Sequence, residues 1–179
     1  VDGSLGWATF APYSFVGRYG PFLTHTVAMH INNKSQARMP FWINVGYGYY
    51  SEISLCRKSQ TTYIDLSQMS ASGASADDIT SSKLFAQGRS WSSLIKKLLR
   101  DKKFKAPDIK ELAPTVVGSL TPERAGFLYG LTSFLIKGKF KQGSYGEFLK
   151  SVYAGEDPEN ALLDVFDYEK IEDFEKDWY

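Results

Sequence analysis

The sequence predicts a mainly helical α+β domain with one small inserted β-hairpin. Apolar residues recur at helical spacing through most of the chain, and capping residues followed by proline stand where some of these runs begin. One short region instead alternates inward and outward residues, as half-buried strands do. The predicted helices cover residues 21–32, 40–51, 91–101, 121–137, 144–154, 158–166 and 168–178.

The first two predicted helices begin at prolines, which suit the first helical position. Pro21 opens a run whose apolar residues keep near-helical spacing as far as Asn32. Pro40 opens the second run, in which Gly46 and Gly48 thin the wall of the helix. These two glycines would permit close packing of the second helix.

The predicted hairpin follows the second helix. Residues 51–57 (SEISLCR) and 61–67 (TTYIDLS) are short alternating runs that contain β-branched residues, and three polar residues (KSQ) separate them. This pattern predicts two antiparallel strands joined by a tight connection.

The second half of the chain carries the clearest helix starts. Thr121-Pro122-Glu123 and Asp157-Pro158-Glu159 each combine an N-cap residue with proline at the first helical position. The apolar stripe after the first of these starts predicts a core helix. Its members are Phe127, Leu128, Leu131, Phe134 and Leu135.

We expect residues 1–179 to form one domain, because this length suits a single hydrophobic core. Residues 1–20 are rich in glycine and aromatic side chains and are predicted to form an extended lead-in, and residues 69–78 are predicted to form a flexible loop. The chain opens on Val1 and stops at Tyr179 inside a predicted helix. These ends indicate a fragment of a longer chain or a processed protein.

Composition argues against two kinds of partner. The net charge of +1 gives no global attraction to nucleic acid or to an anionic membrane, so we expect no nucleic-acid partner. No stretch reaches the roughly 18 consecutive apolar residues of a membrane span, so we expect no membrane insertion. Cys56 is the single cysteine and cannot form an internal disulfide, which favours a structural thiol.

Two stretches of the chain resemble the gluzincins, a family of zinc metallopeptidases. The stretch MPFWINVGYGYYSE is similar to the family's Pro-x-Trp motif, and a later stretch is similar to its Gly-x-Asp-Pro-x-x-Ala turn. The residues that match are Pro40, Trp42, Gly46, Tyr50, Gly155, Asp157, Pro158, Ala161 and Phe166. The resemblance spans residues 20–178 and implies a gluzincin-like metallopeptidase domain, with an active-site helix and a C-terminal helical bundle.

The residues at the family's zinc site do not suit zinc. The chemistry needs His-Glu-x-x-His on one helix and a distal glutamate. With His25 as the first ligand, Thr26 takes the place of the general base and Met29 that of the second histidine, while Val45 replaces the distal glutamate. A hydroxyl is a poor base, a thioether is a weak zinc ligand and valine has no donor atom. A register shifted to His30 breaks the site as well.

We therefore expect no metal, no cofactor and no catalytic residue at these positions. His25 and His30 lie about 140° apart around a helix and should not share one ion. Met29 and Val45 are predicted to fill the vacated space by direct contact. Aromatic residues of the second helix either line a residual groove or pack in the core. They are Trp42, Tyr47, Tyr49 and Tyr50.

Charge is also unevenly distributed. Residues 96–105 carry six basic side chains and one acidic one, while residues 156–177 carry ten acidic side chains and two lysines. Solvated helix faces explain such runs, and the alternative is that the two patches dock a partner or a second copy of the chain.

The sequence predicts a catalytically inactive, metallopeptidase-like domain that serves as a structural or protein-binding element of a larger assembly. Peptide binding in the former substrate cleft is a variant of this hypothesis. The alternative is an active metal-dependent peptidase or other hydrolase whose site is non-standard or is completed by a partner. Export, or association with the cell envelope, is implied by the family resemblance alone.

Overall fold

The structure is a computed structural model that describes residues 23, 24, 26–28, 30, 39–57, 90–101, 104–116 and 119–179. These residues form helices and connecting segments. In chain order the helices are α1, with helical residues at 23, 24, 26–28 and 30, then α2 (Phe41–Cys56), α3 (Trp91–Arg100), α4 (Ile109–Leu112), α5 (Pro122–Lys137), α6 (Ser144–Tyr153), α7 (Pro158–Phe166) and α8 (Ile171–Trp178).

The predicted α+β, gluzincin-like class is wrong, since the described residues are helical and contain no strand. The first predicted strand, 51–57, is the last part of α2, which ends where Arg57 takes a left-handed conformation and donates its N–H to the Ile53 carbonyl. Extending a nucleated helix costs little, and no proline follows Pro40 in this run, so helix growth overrides the local alternation. The second predicted strand, 61–67, lies outside the described residues, as do the predicted lead-in 1–20 and loop 69–78.

The helix predictions for the second half of the chain are confirmed to within a few residues. The Thr121 hydroxyl accepts from the Arg124 N–H at 3.1 Å, and Asp157 accepts from two N–H groups in the first turn of α7. The short helix α4 was not predicted. Its N-terminus is held by a capping box between Asp108 and Glu111, and Glu175 of α8 accepts from the Ile109 N–H at 2.8 Å.

Helices α2 and α5 pack directly against each other at the centre of the described fold. A Cβ at Gly46 would overlap the Thr132 hydroxyl and lie 2.8 Å from the Leu128 carbonyl oxygen, so only glycine permits this approach. The fully buried side chains around the contact form the core. They include Ile43, Val45, Tyr49, Phe127, Leu128 and Leu131.

Aromatic rings attach the C-terminal helices to this pair. Phe140, in the connection between α5 and α6, lies with its ring centroid 5.1 Å from Phe134 and 4.7 Å from Phe166. Phe174 of α8 lies 5.7 Å from Phe134. These edge-on contacts fix the connection 138–143, which forms one wall of the site described next.

Candidate functional site

The candidate site lies along the face of α2 that carries Tyr47, Ser51 and Leu55. Residues four apart in a helix share one face, so these three side chains form a single stripe. Two cavities open beside the stripe, and Tyr47 lines both of them. We call the two cavities together the α2 groove.

The first cavity, of about 340 Å³, is aromatic and lies between α2, the end of α5 and the start of α6. We call it the tyrosine cavity. It is lined by Tyr47, Tyr50, Leu135, Ile136, Phe140, Lys141, Gln142, Gly143, Ser144 and Tyr145.

Three tyrosines stack along this cavity. The Tyr47 ring centroid lies 6.4 Å from that of Tyr50 and 5.9 Å from that of Tyr145, with the ring planes inclined by 20° and 24°. Lys137 Nζ lies 5.1 Å from the Tyr50 ring centroid, a cation–π distance. The stack presents broad, rigid aromatic surface with a positive charge at one end.

The Tyr145 hydroxyl is the unusual polar group of the site. It is buried and has no hydrogen-bond partner among the described residues. Burial, and then the nearby Tyr47, Tyr153 and Tyr50, raise the pKa of Tyr145 well above its ordinary value. Tyr145 therefore stays a neutral phenol and contributes its ring, rather than a charge, to the cavity wall.

The second cavity, of about 400 Å³, is aliphatic and lies between α1 and the last turns of α2. It is lined by Leu23, Thr24, Val27, Ala28, Tyr47, Ser51 and Leu55. Three of these side chains are unusually exposed for their type, with Leu23 at 48%, Val27 at 54% and Leu55 at 74%. A contact of 3.5 Å between Thr24 Oγ1 and Cys56 Sγ joins the two helices beside the cavity.

The electrostatic character of the groove is one-sided. None of the described residues that line either cavity carries a carboxylate. We call the exposed residues Lys137, Lys139 and Lys141 the lysine rim; Lys137 lies over the Tyr50 ring and Lys141 lines the tyrosine cavity. None of the three forms an ion pair with a described residue. The N-terminus of α6 starts at this cavity and adds partial positive charge.

The predicted vestigial zinc-site residues are only partly described. His25 and Met29 lie outside the described residues, so the expected contact between Met29 and Val45 stays a prediction. Thr26 is exposed on α1, and Val45 is fully buried beside the contact of α2 with α5. Within the described parts of the chain, no three His, Cys, Asp or Glu residues are grouped so that they could hold a metal ion.

The four predicted groove residues separate into two pairs. Trp42 and Tyr49 are buried in the core, where Trp42 contacts the Phe148 ring and Tyr49 lies 4.9 Å from the Trp91 ring. Tyr47 and Tyr50 line the tyrosine cavity. Spacing could have separated the pairs, because Trp42 and Tyr49 are seven residues apart, on the side of α2 that also holds Val45.

Sequence reasoning missed the rest of the tyrosine cavity. Tyr145 and the lysines of 137–141 are not among the residues predicted to line a groove. The sequence signal was the run KGKFK at the end of a core helix, where three lysines lie close to one aromatic residue. Its link to α2 depends on tertiary packing, which no local pattern reveals.

Some basic side chains of residues 96–105 form no ion pair with the described residues. Lys96, Lys97 and Arg100 are exposed on α3 and form no ion pair with any residue in the described ranges. On the acidic side, Asp173 pairs with Lys176 at 2.8 Å, which lowers the pKa of Asp173. Most acids of α7 and α8 still face solvent.

Comparisons of the chain with protein-family models, curated proteins and solved structures found no match. They give no support to the gluzincin-like fold that the motifs implied. Among the helices that the structure describes, none has the length and apolar character needed to cross a membrane.

Proposed function

We propose that this domain is a protein-binding element that works without catalysis and takes an apolar segment of a partner protein into the α2 groove. The observation that carries the proposal is the meeting of two cavities at Tyr47, one aromatic and one aliphatic. Each volume lies at the lower end of the roughly 300–1,000 Å³ typical of binding pockets, a size that suits individual side chains of a peptide.

The chemistry of the walls supports binding. Tyrosine rings supply large contact area at low entropic cost, because only two side-chain torsions must be fixed. Leu23, Val27 and Leu55 expose apolar surface that a partner would cover, and covering a half-exposed aliphatic side chain is worth about 1 kcal/mol. Several such contacts within one groove are the usual basis for binding an amphipathic peptide.

The test is selection of phage-displayed random peptides on the full chain, followed by affinity measurements on the enriched peptides. Leu55→Gln removes apolar surface from the groove, and Val116→Gln is the matched control because Val116 is 57% exposed and lies outside both cavities. Exposed sites such as these tolerate substitution within about 0.5 kcal/mol of stability. We expect Leu55→Gln to weaken binding about five- to tenfold and Val116→Gln to leave it unchanged.

Two outcomes would overturn the proposal. One is that no enriched peptide distinguishes Leu55→Gln from Val116→Gln. The other is metal-dependent cleavage of the peptides, which would favour the alternative of a hydrolase with a non-standard or partner-completed site. Cleavage is measured on the same peptides by mass spectrometry, with and without added zinc.

Self-association is a second candidate function, favoured by the unpaired basic residues of α3. The exposed acids of α7 and α8 are complementary to Lys96, Lys97 and Arg100. Sedimentation of the full chain should then show a dimer that dissociates as salt rises, and the double variant Lys96→Glu/Lys97→Glu should remain monomeric. A monomer at every salt concentration rules this candidate out.

A further inference from the structure

We infer that the segment bound by the α2 groove is acidic as well as apolar, with a carboxylate beside the side chain that enters the tyrosine cavity. This inference rests on the proposed function and names the chemistry of the partner. It is carried by the lysine rim, which lies at one end of the groove, and by the lack of carboxylates among the described lining residues.

The lysine rim lies where a carboxylate of a segment bound in the tyrosine cavity would come close to it. Lys137 lies over the Tyr50 ring, and Lys141 itself lines the cavity, with Lys139 between them in the chain. An aromatic or aliphatic side chain seated against the tyrosine stack would bring a neighbouring carboxylate toward these ammonium groups. The exposed Glu147 is the nearest acid along the chain after the rim, and it is not among the lining residues.

An acidic peptide fits this arrangement better than a nucleic acid does. A nucleic acid carries phosphates along its whole length and is matched by basic residues that follow the entire groove. Among the described lining residues, the one basic side chain is Lys141 at the tyrosine end, and the other end is lined by Leu23, Val27 and Leu55. The geometry therefore fits a segment with its acid at one end and aliphatic side chains at the other.

A direction of binding follows from this polarity. The acidic end of the segment lies at the lysine rim, and its aliphatic end lies beside Leu55. The charges steer and orient the segment, while apolar contact supplies most of the affinity. Exposed ion pairs contribute little each, so the expected effect of one lysine is small but measurable.

The test uses the groove-binding peptides obtained by phage display and their amide counterparts, in which each Asp is changed to Asn and each Glu to Gln. Binding to the full chain is measured by fluorescence anisotropy at low and high salt. Lys137→Gln and Lys141→Gln are compared with Lys150→Gln, an exposed lysine of α6 outside both cavities. We expect each rim variant to weaken the acidic peptides about two- to fivefold and to leave the amide forms unchanged.

The possible failures are distinguishable. If enriched peptides depend on Leu55 yet bind equally in acidic and amide form, the inference fails and the proposed function stands. If no peptide depends on Leu55, the proposed function itself fails. The inference is also overturned if a single-stranded oligonucleotide binds more tightly than the acidic peptides and Lys137→Gln weakens the binding of that oligonucleotide. That result would favour a nucleic acid as the partner.

Discussion

Replacing Tyr145 with phenylalanine should stabilise this protein or leave its stability unchanged. The substitution removes one buried hydroxyl that has no hydrogen-bond partner among the described residues, and it keeps the ring that stacks on Tyr47. A buried polar group without a partner costs about 1–3 kcal/mol. Since phenylalanine fills nearly the same space, we expect the free energy of unfolding to change by about 0 to +2 kcal/mol.

Tyr129→Phe is the matched control. The Tyr129 hydroxyl lies 2.9 Å from Ser92 Oγ in a partly buried pair, so its removal should cost about 0.5–1.5 kcal/mol. Urea denaturation of both variants measures the two changes, with the slope of the transition as a check that the unfolded state is unaltered. If Tyr145→Phe destabilises as much as Tyr129→Phe, the Tyr145 hydroxyl has a partner and the reasoning is refuted.

Three further predictions concern the fold. Gly46→Ala should destabilise the folded protein by about 1–3 kcal/mol, because its methyl group would overlap α5. Gly146→Ala should stabilise it by up to about 1 kcal/mol, because a methyl group there meets no neighbouring atom. Thermal unfolding of both variants measures the two changes. Asp157→Ala should cost about 1 kcal/mol through the lost α7 cap, and Asp157→Asn should restore most of it, as urea denaturation will show. Burial and a hydrogen bond to Asp177 raise the pKa of Tyr168 to about 12, so the folded state keeps a proton that the unfolded state loses near pH 10. Stability should therefore fall between about pH 10 and 12, and the fall should be shallower in Tyr168→Phe when alkaline unfolding is followed by circular dichroism.

Local chemistry explains which parts of the fold the sequence predicted. The starts of α5 and α7 were predictable because Thr121 and Asp157 cap backbone N–H groups within their own first turns. The end of α2 was not predictable from the sequence, because the alternation after Ser51 fits a strand as well as a helix. Only the helices that pack against this segment decide between the two. Helix α4 was not predicted because its four residues are stabilised partly by a hydrogen bond to Glu175, which lies 66 positions away in the chain.

The candidate site was predictable only in part, for a similar reason. Tyr47 and Tyr50 could be named from the aromatic content of α2, but that content alone does not separate them from the buried Trp42 and Tyr49, which only the helical spacing distinguishes. The other walls of the α2 groove come from α1 and from the connection after α5. Tertiary packing sets the distance of both segments from α2. The family resemblance directed the prediction to His25 and His30 and not to the tyrosines of the groove.

The position of the groove follows from the contact at Gly46. At about 100° per residue, Leu55 lies about 180° from Gly46 around α2, and Ser51 and Tyr47 lie about 140° and 100° away. The close approach to α5 fixes Gly46 inward, and this rotation turns the stripe of Tyr47, Ser51 and Leu55 outward. Gly46→Ala should consequently weaken peptide binding in the folded protein if the methyl group turns α2, although Gly46 lines neither cavity. Unchanged affinity in a destabilised Gly46→Ala protein would show that α5 yields instead, and that the groove keeps its form independently of this contact.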